Sequence, residues 1–421
     1  MAERKADLLV YPSLVETPFI IVEIGDYSFG VAMKNKEIRE NYIRSKANFF
    51  PNYIKTLQVE KINGAVNKYT LSLEYRIAFG DNPNMFEQIF SSVSNTRKIT
   101  FSYGDWSYPS YIYQKEEAII TQISQSFNAS SSSINYEISA VSSSNLIGAV
   151  RANFPQRYAK ASDVIKSLLA NEQYGLQKLF PGMTQQNIVK YNLIPGNDKI
   201  VEIHSKEGIS IIDYLQYLVN CMQFEGDEST NGIKKYIYIL TLYNHQDNNV
   251  GGEYFKITML NINPEYEYTD NLCTYELNIG YPDKNLVTDF RLQQNDNWSI
   301  LYNYNKSISD APKKVYYIDN NGNMKVTSAN NLTMDYTISK ESEAERNWWS
   351  QVTAFPIKAS VTMKGLVRPQ LLMSYVKINV YFYGQKHISS GIYCVTKQVD
   401  SIGGGGYRTT LELLRIKGDE L

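Results

Sequence analysis

The chain has 421 residues, 43% of them hydrophobic, and a formal net charge of -1. That length gives ample core and room for two to four domains, and the charge balance excludes bulk attraction to nucleic acid or to an anionic membrane. Three cysteines, Cys221, Cys273 and Cys394, are too few and too scattered for a disulfide framework or a CxxC metal pair, which points to folding in a reducing compartment.

Taken in order, the first 19 residues lack an apolar stretch long enough for a signal peptide, and no run approaches the roughly 18 apolar residues of a membrane span, so a soluble chain is expected. Residues 18–33, PFIIVEIGDYSFGVAM, read as two strands about a Gly-Asp turn, and residues 34–52 as a charged excursion. Residues 57–73 follow as a hairpin, LQVEKINGAVNKYTLSL, turning at Asn63 and Gly64. Met85, Phe86, Ile89 and Phe90 recur at helical spacing, and residues 98–103, 118–127 and 134–141 alternate as strands. Residues 1–148 are expected to form a first β-barrel domain.

The period then changes. Residues 161–169 read as a short amphipathic helix that Ser162 could cap, and residues 210–222 as a stronger one in which Ser210 and Asp213 have capping-box spacing. A strand is expected at 236–243, and residues 149–248 read as a mixed α+β insert. Strands resume at 255–260, 273–279, 287–292 and 299–304. After these come a turn at Asn320 to Gly322, a helix carrying Trp348 and Trp349, and strands at 357–363 and 376–383. Residues 249–421 are expected to be a second β-barrel domain. It ends in the hairpin GIYCVTKQVDSIGGGGYRTTLELLR, where Tyr393, Val395 and Val399 alternate before the glycines and Leu411 and Leu413 after them.

The two hairpins resemble each other. An ungapped shift of 340 positions (399 minus 59) brings Gln58, Val59, Glu60, Ile62, Gly64, Lys68, Thr70, Leu71 and Leu73 onto Gln398, Val399, Asp400, Ile402, Gly404, Arg408, Thr410, Leu411 and Leu413. The shared turn, charges and register predict an internal duplication of a β-rich unit. The fold class is therefore mainly β with an α+β insert: two barrels related by duplication and separated by a mixed region.

Chemistry is sparse. His204, His245 and His387 have no partners at ligand spacing, and no HExxH, GxSxG or CxxC occurs, so neither a metal nor a cofactor is expected. The run Gly403 to Gly406 joins two strands and lacks the following helix and Lys-Ser/Thr that a phosphate loop needs. A glycosidase needs only two carboxylates across a cleft, and no local signature supports one. The 34 tyrosines, against 4 tryptophans, suit sheets and interfaces, and an AT-rich genome, which also inflates Asn, Ile and Lys, accounts for the number equally well.

From residue 358 on, the chain resembles the end of the baseplate hub family of phage tails, which includes the phage T4 hub protein, phage late-control proteins and the VgrG spike proteins. The resemblance rests on residues 363–369, on the "sG-x-Y-x-V" strand at 390–395, and on the "G-Y-x-T-x-L-x-L-x-R" strand at 406–415. ASDVIKSLL and SIIDYLQYLVNCMQFEGD are similar to that family's helix pair. The resemblance implies two tail-tube-like barrels in one chain. Three chains would then present six barrels and join a six-fold tube to a three-fold tip. It also implies a non-enzymatic virion protein at the distal end of the tail, assembled in the host cytoplasm. Its partners would be itself, the tube protein, spike or baseplate proteins and the tape-measure protein, with any spike or hydrolase supplied by a separate chain. Asn63, Gly64, Lys68, Thr70, Gly403, Gly404, Tyr407, Arg408 and Thr410 are the interface residues that the two hairpins suggest. Two other functions stay open at this point: a tail-tip protein binding cell-surface carbohydrate through Trp348 and Trp349, and a tail-associated cell-wall hydrolase.

Overall fold

The computed structural model describes residues 18–30, 48–51, 53–63, 66–78, 82–92, 97–105, 116–142, 148–171, 198–222, 236–244, 253–261, 272–281, 287–294, 315–318, 324–327, 357–365, 372–403 and 406–418. Strands dominate them. The expected strand at 299–304, the Asn320 to Gly322 turn and the Trp348–Trp349 helix lie outside the described residues.

The first unit contains β1 (Pro18–Ile24), β2 (Tyr27–Gly30), β3 (Asn48–Pro51), β4 (Ile54–Ile62), β5 (Lys68–Arg76), helix α1 (Met85–Ser92), β6 (Lys98–Asp105), β7 (Glu116–Asn128) and β8 (Ser133–Ser142). β1 and β2 pair across Gly25, whose φ of 57° suits a residue without a Cβ. The sheet runs β4-β5-β8-β7-β6-β1-β2-β3 and encloses one apolar cluster. Phe86 of α1 lies in its middle, against the rings of Phe29, Tyr53, Tyr75, Phe90 and Tyr136.

The insert has β9 (Arg151–Phe154), β10 (Arg157–Lys160), α2 (Ala161–Leu169), β11 (Ile200–Ile203), β12 (Lys206–Ser210), α3 (Ile211–Cys221), β13 (Tyr236–Asn244) and β14 (Glu253–Asn261). Its core is the facing apolar stripes of the two helices, Val164, Ile165, Leu168 and Leu169 against Leu215, Leu218 and Val219. Ser210 caps α3 as its spacing predicts, accepting a hydrogen bond from the Asp213 amide. Ser162 does not cap α2. It lies inside the helix, and its amide and hydroxyl both donate to the buried carboxylate of Asp198, which supplies the cap from a distance in sequence. Ile257 of β14 belongs to this core, so the β13–β14 hairpin carries the insert's packing past residue 248.

The second unit contains β15 (Cys273–Ile279), β16 (Val287–Gln294), the small hairpin β17 (Val315–Ile318) and β18 (Met324–Thr327), then β19 (Ile357–Lys364), β20 (Tyr375–Phe382), β21 (Gln385–Lys386), β22 (Gly391–Gly403) and β23 (Gly406–Gly418). The order is β16-β19-β23-β22-β20-β15, around its own core of Tyr275, Val361, Met363, Ile378, Tyr393 and Leu413, among others. β15 and β16 lie against each other without pairing. β15 pairs β20 in parallel, whereas β1 pairs β6 antiparallel.

The two units repeat, but not as the sequence match pairs them. Across the sheet the order is β16-β19-β23-β22, then β4-β5-β8-β7. Each quartet uses its chain-order first, second, fourth and third strands, so β16, β19, β22 and β23 correspond to β4, β5, β7 and β8. The irregularities agree as well. A one-residue register shift falls at Lys55 in β4 and at Thr288 in β16. Another falls at Thr121 in β7 and at Thr396 in β22. The Thr121 hydroxyl donates to the Ser139 carbonyl at 3.1 Å, and the Thr396 hydroxyl to the Glu412 carbonyl at 3.2 Å. At the same bulges the Ile120 amide reaches Arg97 at the start of β6, and the Val395 amide reaches Ser374 at the start of β20. Bulges re-aim a strand and end its pairing with one neighbour. The C-terminal hairpin is therefore the counterpart of β7–β8, and the hairpin at 57–73 is the counterpart of β16–β19.

Candidate functional site

The two hairpins that the sequence aligns are neighbours rather than copies. β22 pairs β4 antiparallel, Lys397 opposite Ile62, Asp400 opposite Val59 and Gly403 opposite Thr56, and so joins both units into one sheet of 15 strands. β22 reaches this seam by changing partner. Its first residues pair β20, and beyond the Thr396 bulge the same edge pairs β4. The Asn63 amide donates to the Thr396 carbonyl at the changeover.

The bulge also changes which residues face inward. Tyr393 and Val395 point into the core before it, and Gln398, Asp400 and Ile402 after it. Val399 is on the outer face, so it is not the equivalent of the fully buried Val59, and Gln58 is exposed where Gln398 is buried. The ungapped match of the first strands therefore sets inward residues against outward ones and does not relate equivalent positions. Ile402 and Tyr407 extend past their own unit and pack into the core of the first.

A buried polar cluster lies beneath the seam. Lys61 is 1% exposed and its Nζ is 2.6 Å from Glu116 Oε1. The hydroxyls of Tyr69 and Tyr103 donate to the same carboxylate at 2.8 and 3.1 Å. Across the seam Asp400 accepts from Gln398 Nε2 and Thr409 Oγ1, each at 2.7 Å. Burial pushes its carboxyl up to about 6, against the opposing pull of the Thr409 hydrogen bond, the Lys61 charge and the Gln398 amide. On the outer face Lys397 bridges Glu60 at 3.1 Å and Glu412 at 3.3 Å, tying β4, β22 and β23 together. That face is mostly polar over the central strands, with Gln58, Thr70, Ser72, Thr362, Ser401 and Arg408 on it beside Val141 and Val399.

Of the residues the sequence singles out, Asn63 and Gly403 are at the seam, and a Cβ on Gly403 would stand 2.7 Å from the Lys55 carbonyl. Lys68 and Thr70 are one strand away, on β5. Tyr407 is buried, Arg408 is exposed, and the Thr410 hydroxyl is 3.1 Å from that of Thr362. Gly64 and Gly404 lie outside the described residues. The residues that sequence reasoning missed are Lys61, Glu116 and Asp400. The phase set by Leu57 and Val59 already places Lys61 inward, which was the available signal. Among the described residues no cluster of His, Cys, Asp and Glu could hold a metal, and all three cysteines are buried as free thiols.

No protein-family model and no curated protein matches the chain. Solved structures do. A tail protein from Neisseria meningitidis matches with a TM-score of 0.49 at 9% identity, over 95% of this chain and 96% of that one. The 43 kDa tail protein of prophage MuSo2 from Shewanella oneidensis matches with a TM-score of 0.48 at 9% identity, over 94% and 96%. The E. coli c3393 protein, a component of the type VI secretion system, matches with a TM-score of 0.42 at 8% identity, over 87% and 76%.

Proposed function

We propose that this chain is a structural, non-enzymatic hub of a phage tail or related injection machine, in which three copies close a ring of six barrel units. The observation that carries the reading is the β22–β4 seam. Two units with the same strand order already stand side by side in one chain, joined edge to edge, and the second repeats the first along the sheet without reversal. A head-to-tail contact of this kind generates a ring when its rotation closes. A duplicated unit lets three chains meet a six-fold tube on one side and a three-fold tip on the other. The polar outer face of the central strands would then line the lumen, and the insert would stand apart from it and receive baseplate or spike proteins. The place of action is the distal end of the tail.

Sedimentation of the purified chain tests this. A mass three times that of the chain, with six-lobed rings in negative-stain images that bind tail-tube protein, is the expected result. A monodisperse monomer at high concentration, with no binding to tube protein, would overturn it.

A further inference from the structure

The internal repeat leaves two strand edges without their counterparts' partners. β22 residues 397–403 pair β4, but among the described residues the equivalent stretch of β7, residues 122–128, pairs only β8, and it is exposed throughout. Likewise β4 pairs both β5 and β22, whereas its counterpart β16 pairs only β19 among the described residues. The side chains tell the same story. Ile402 is 3% exposed in the neighbouring unit's core, and Phe127, at the equivalent place, is 73% exposed. Val59 is fully buried, and its counterpart Leu292 is 43% exposed. Ile123 is a second exposed apolar side chain on the β7 edge. Open edges of this kind are avoided by solitary β-proteins because they template pairing with another chain.

We propose that residues 122–128 of β7 pair antiparallel with β16 of a second copy of this chain, in the register that β22 and β4 use within one copy. Carrying the internal register across the repeat places Phe127 opposite Phe290, Ser126 opposite Arg291 and Gln125 opposite Leu292 of the other copy. Phe127 then enters the second unit's core of that copy as Ile402 enters the first unit's core of its own. The occupant is a second copy because the one partner known to fit a β22-type edge is a β4-type edge, and the chain's other such edge is β16. Both edges of each copy are used once, so the contact is directional and propagates one way. Below the seam the two junctions differ. The internal one carries the charged cluster of Lys61, Glu116 and Asp400, and the one between copies places Ile123 where Gln398 stands and Gln125 where Asp400 stands. The internal junction is specified by charge and the external one by apolar contact, which keeps a β7 edge from displacing β22 on β4.

This inference rests on the ring reading, and paired cysteines separate the two. A chain carrying Gln125→Cys and Leu292→Cys is expected to give covalent trimers on mild oxidation. The one-residue-shifted pair, Gln125→Cys with Gln293→Cys, is expected to give at least tenfold less. Phe127→Asp, at an exposed position, is expected to leave circular dichroism unchanged and convert trimers to monomers. Wild-type trimers in which the Gln125–Leu292 pair fails to cross-link, or a Phe127→Asp chain that stays trimeric, would overturn this seam and leave the ring reading standing. A wild-type monomer would overturn both.

Discussion

Gly365 and Tyr407 stand so close that a Cβ on Gly365 would lie 2.2 Å from the tyrosine ring, while the Gly365 amide donates to the Tyr407 carbonyl at 2.7 Å. The ring occupies the space a side chain would need, and it does so while reaching into the other unit's core. Gly365→Ala must push Tyr407 aside. A loss of about 1–3 kcal/mol is expected from such overpacking, read as a shift in the urea midpoint with the slope unchanged.

Lys61 is expected to be costly to replace alone. Among the described residues Lys61→Met leaves Glu116 with the two tyrosine hydroxyls and removes the cation facing it, which by the behaviour of buried pairs costs about 3–5 kcal/mol. Adding Glu116→Gln to that chain should recover part of the loss. Denaturation of the two singles and the double gives the coupling directly, and simple additivity would show that the pair does not act as a unit.

Asp400 makes stability depend on pH in an unusual direction. Its folded-state value of about 6 is above the ordinary 3.8, so between those values the folded chain holds a proton that the unfolded chain has lost. The stabilising contribution is complete below about pH 4, falls as pH rises, and is gone above about 6. Its size is roughly 3 kcal/mol at about 1.4 kcal/mol per unit. Asp400→Asn should flatten that part of the profile. Urea midpoints of both chains between pH 4 and 7 test it, and parallel profiles would contradict the assignment.

Asp198 holds the start of α2 through the Ser162 amide at 2.9 Å and the Ser162 hydroxyl. Asp198→Ala leaves both donors buried and unmatched, and a loss of about 1–2 kcal/mol is expected. Amide exchange should localise it to the first turn of α2. Protection lost equally across the barrels would argue against a local cap.

Much of the fold was legible because most strands alternate cleanly. The β1–β2 turn, β6, β8 and the capped helix α3 fall where Gly25, the Ile99–Phe101–Tyr103 alternation, the Ile134–Tyr136–Ile138 alternation and Ser210 put them. The seam was half legible. Its hairpins drew attention for real features, and the second strands do share a phase, with Leu71 and Leu73 inward like Leu411 and Leu413. The first strands misled because Thr396 inverts the phase of β22, and two of the three inward residues beyond it, Gln398 and Asp400, are polar. Apolar alternation cannot reveal a phase change that is filled with polar side chains. The true repeat left little trace in residue identity. Thr121 with Thr396 is a match of backbone geometry, and Tyr136 with Thr409 is a match of position alone.

One consequence of the shared strand concerns the order of events in synthesis. Because Ile402 and Tyr407 complete the first unit's core, that unit stays open along β4 until the hairpin at 391–418 has left the ribosome and docked. The insert and the rest of the second unit must be made before then. A copy synthesised only as far as β21 therefore holds a first unit whose core is incomplete and whose β4 edge has not yet met β22.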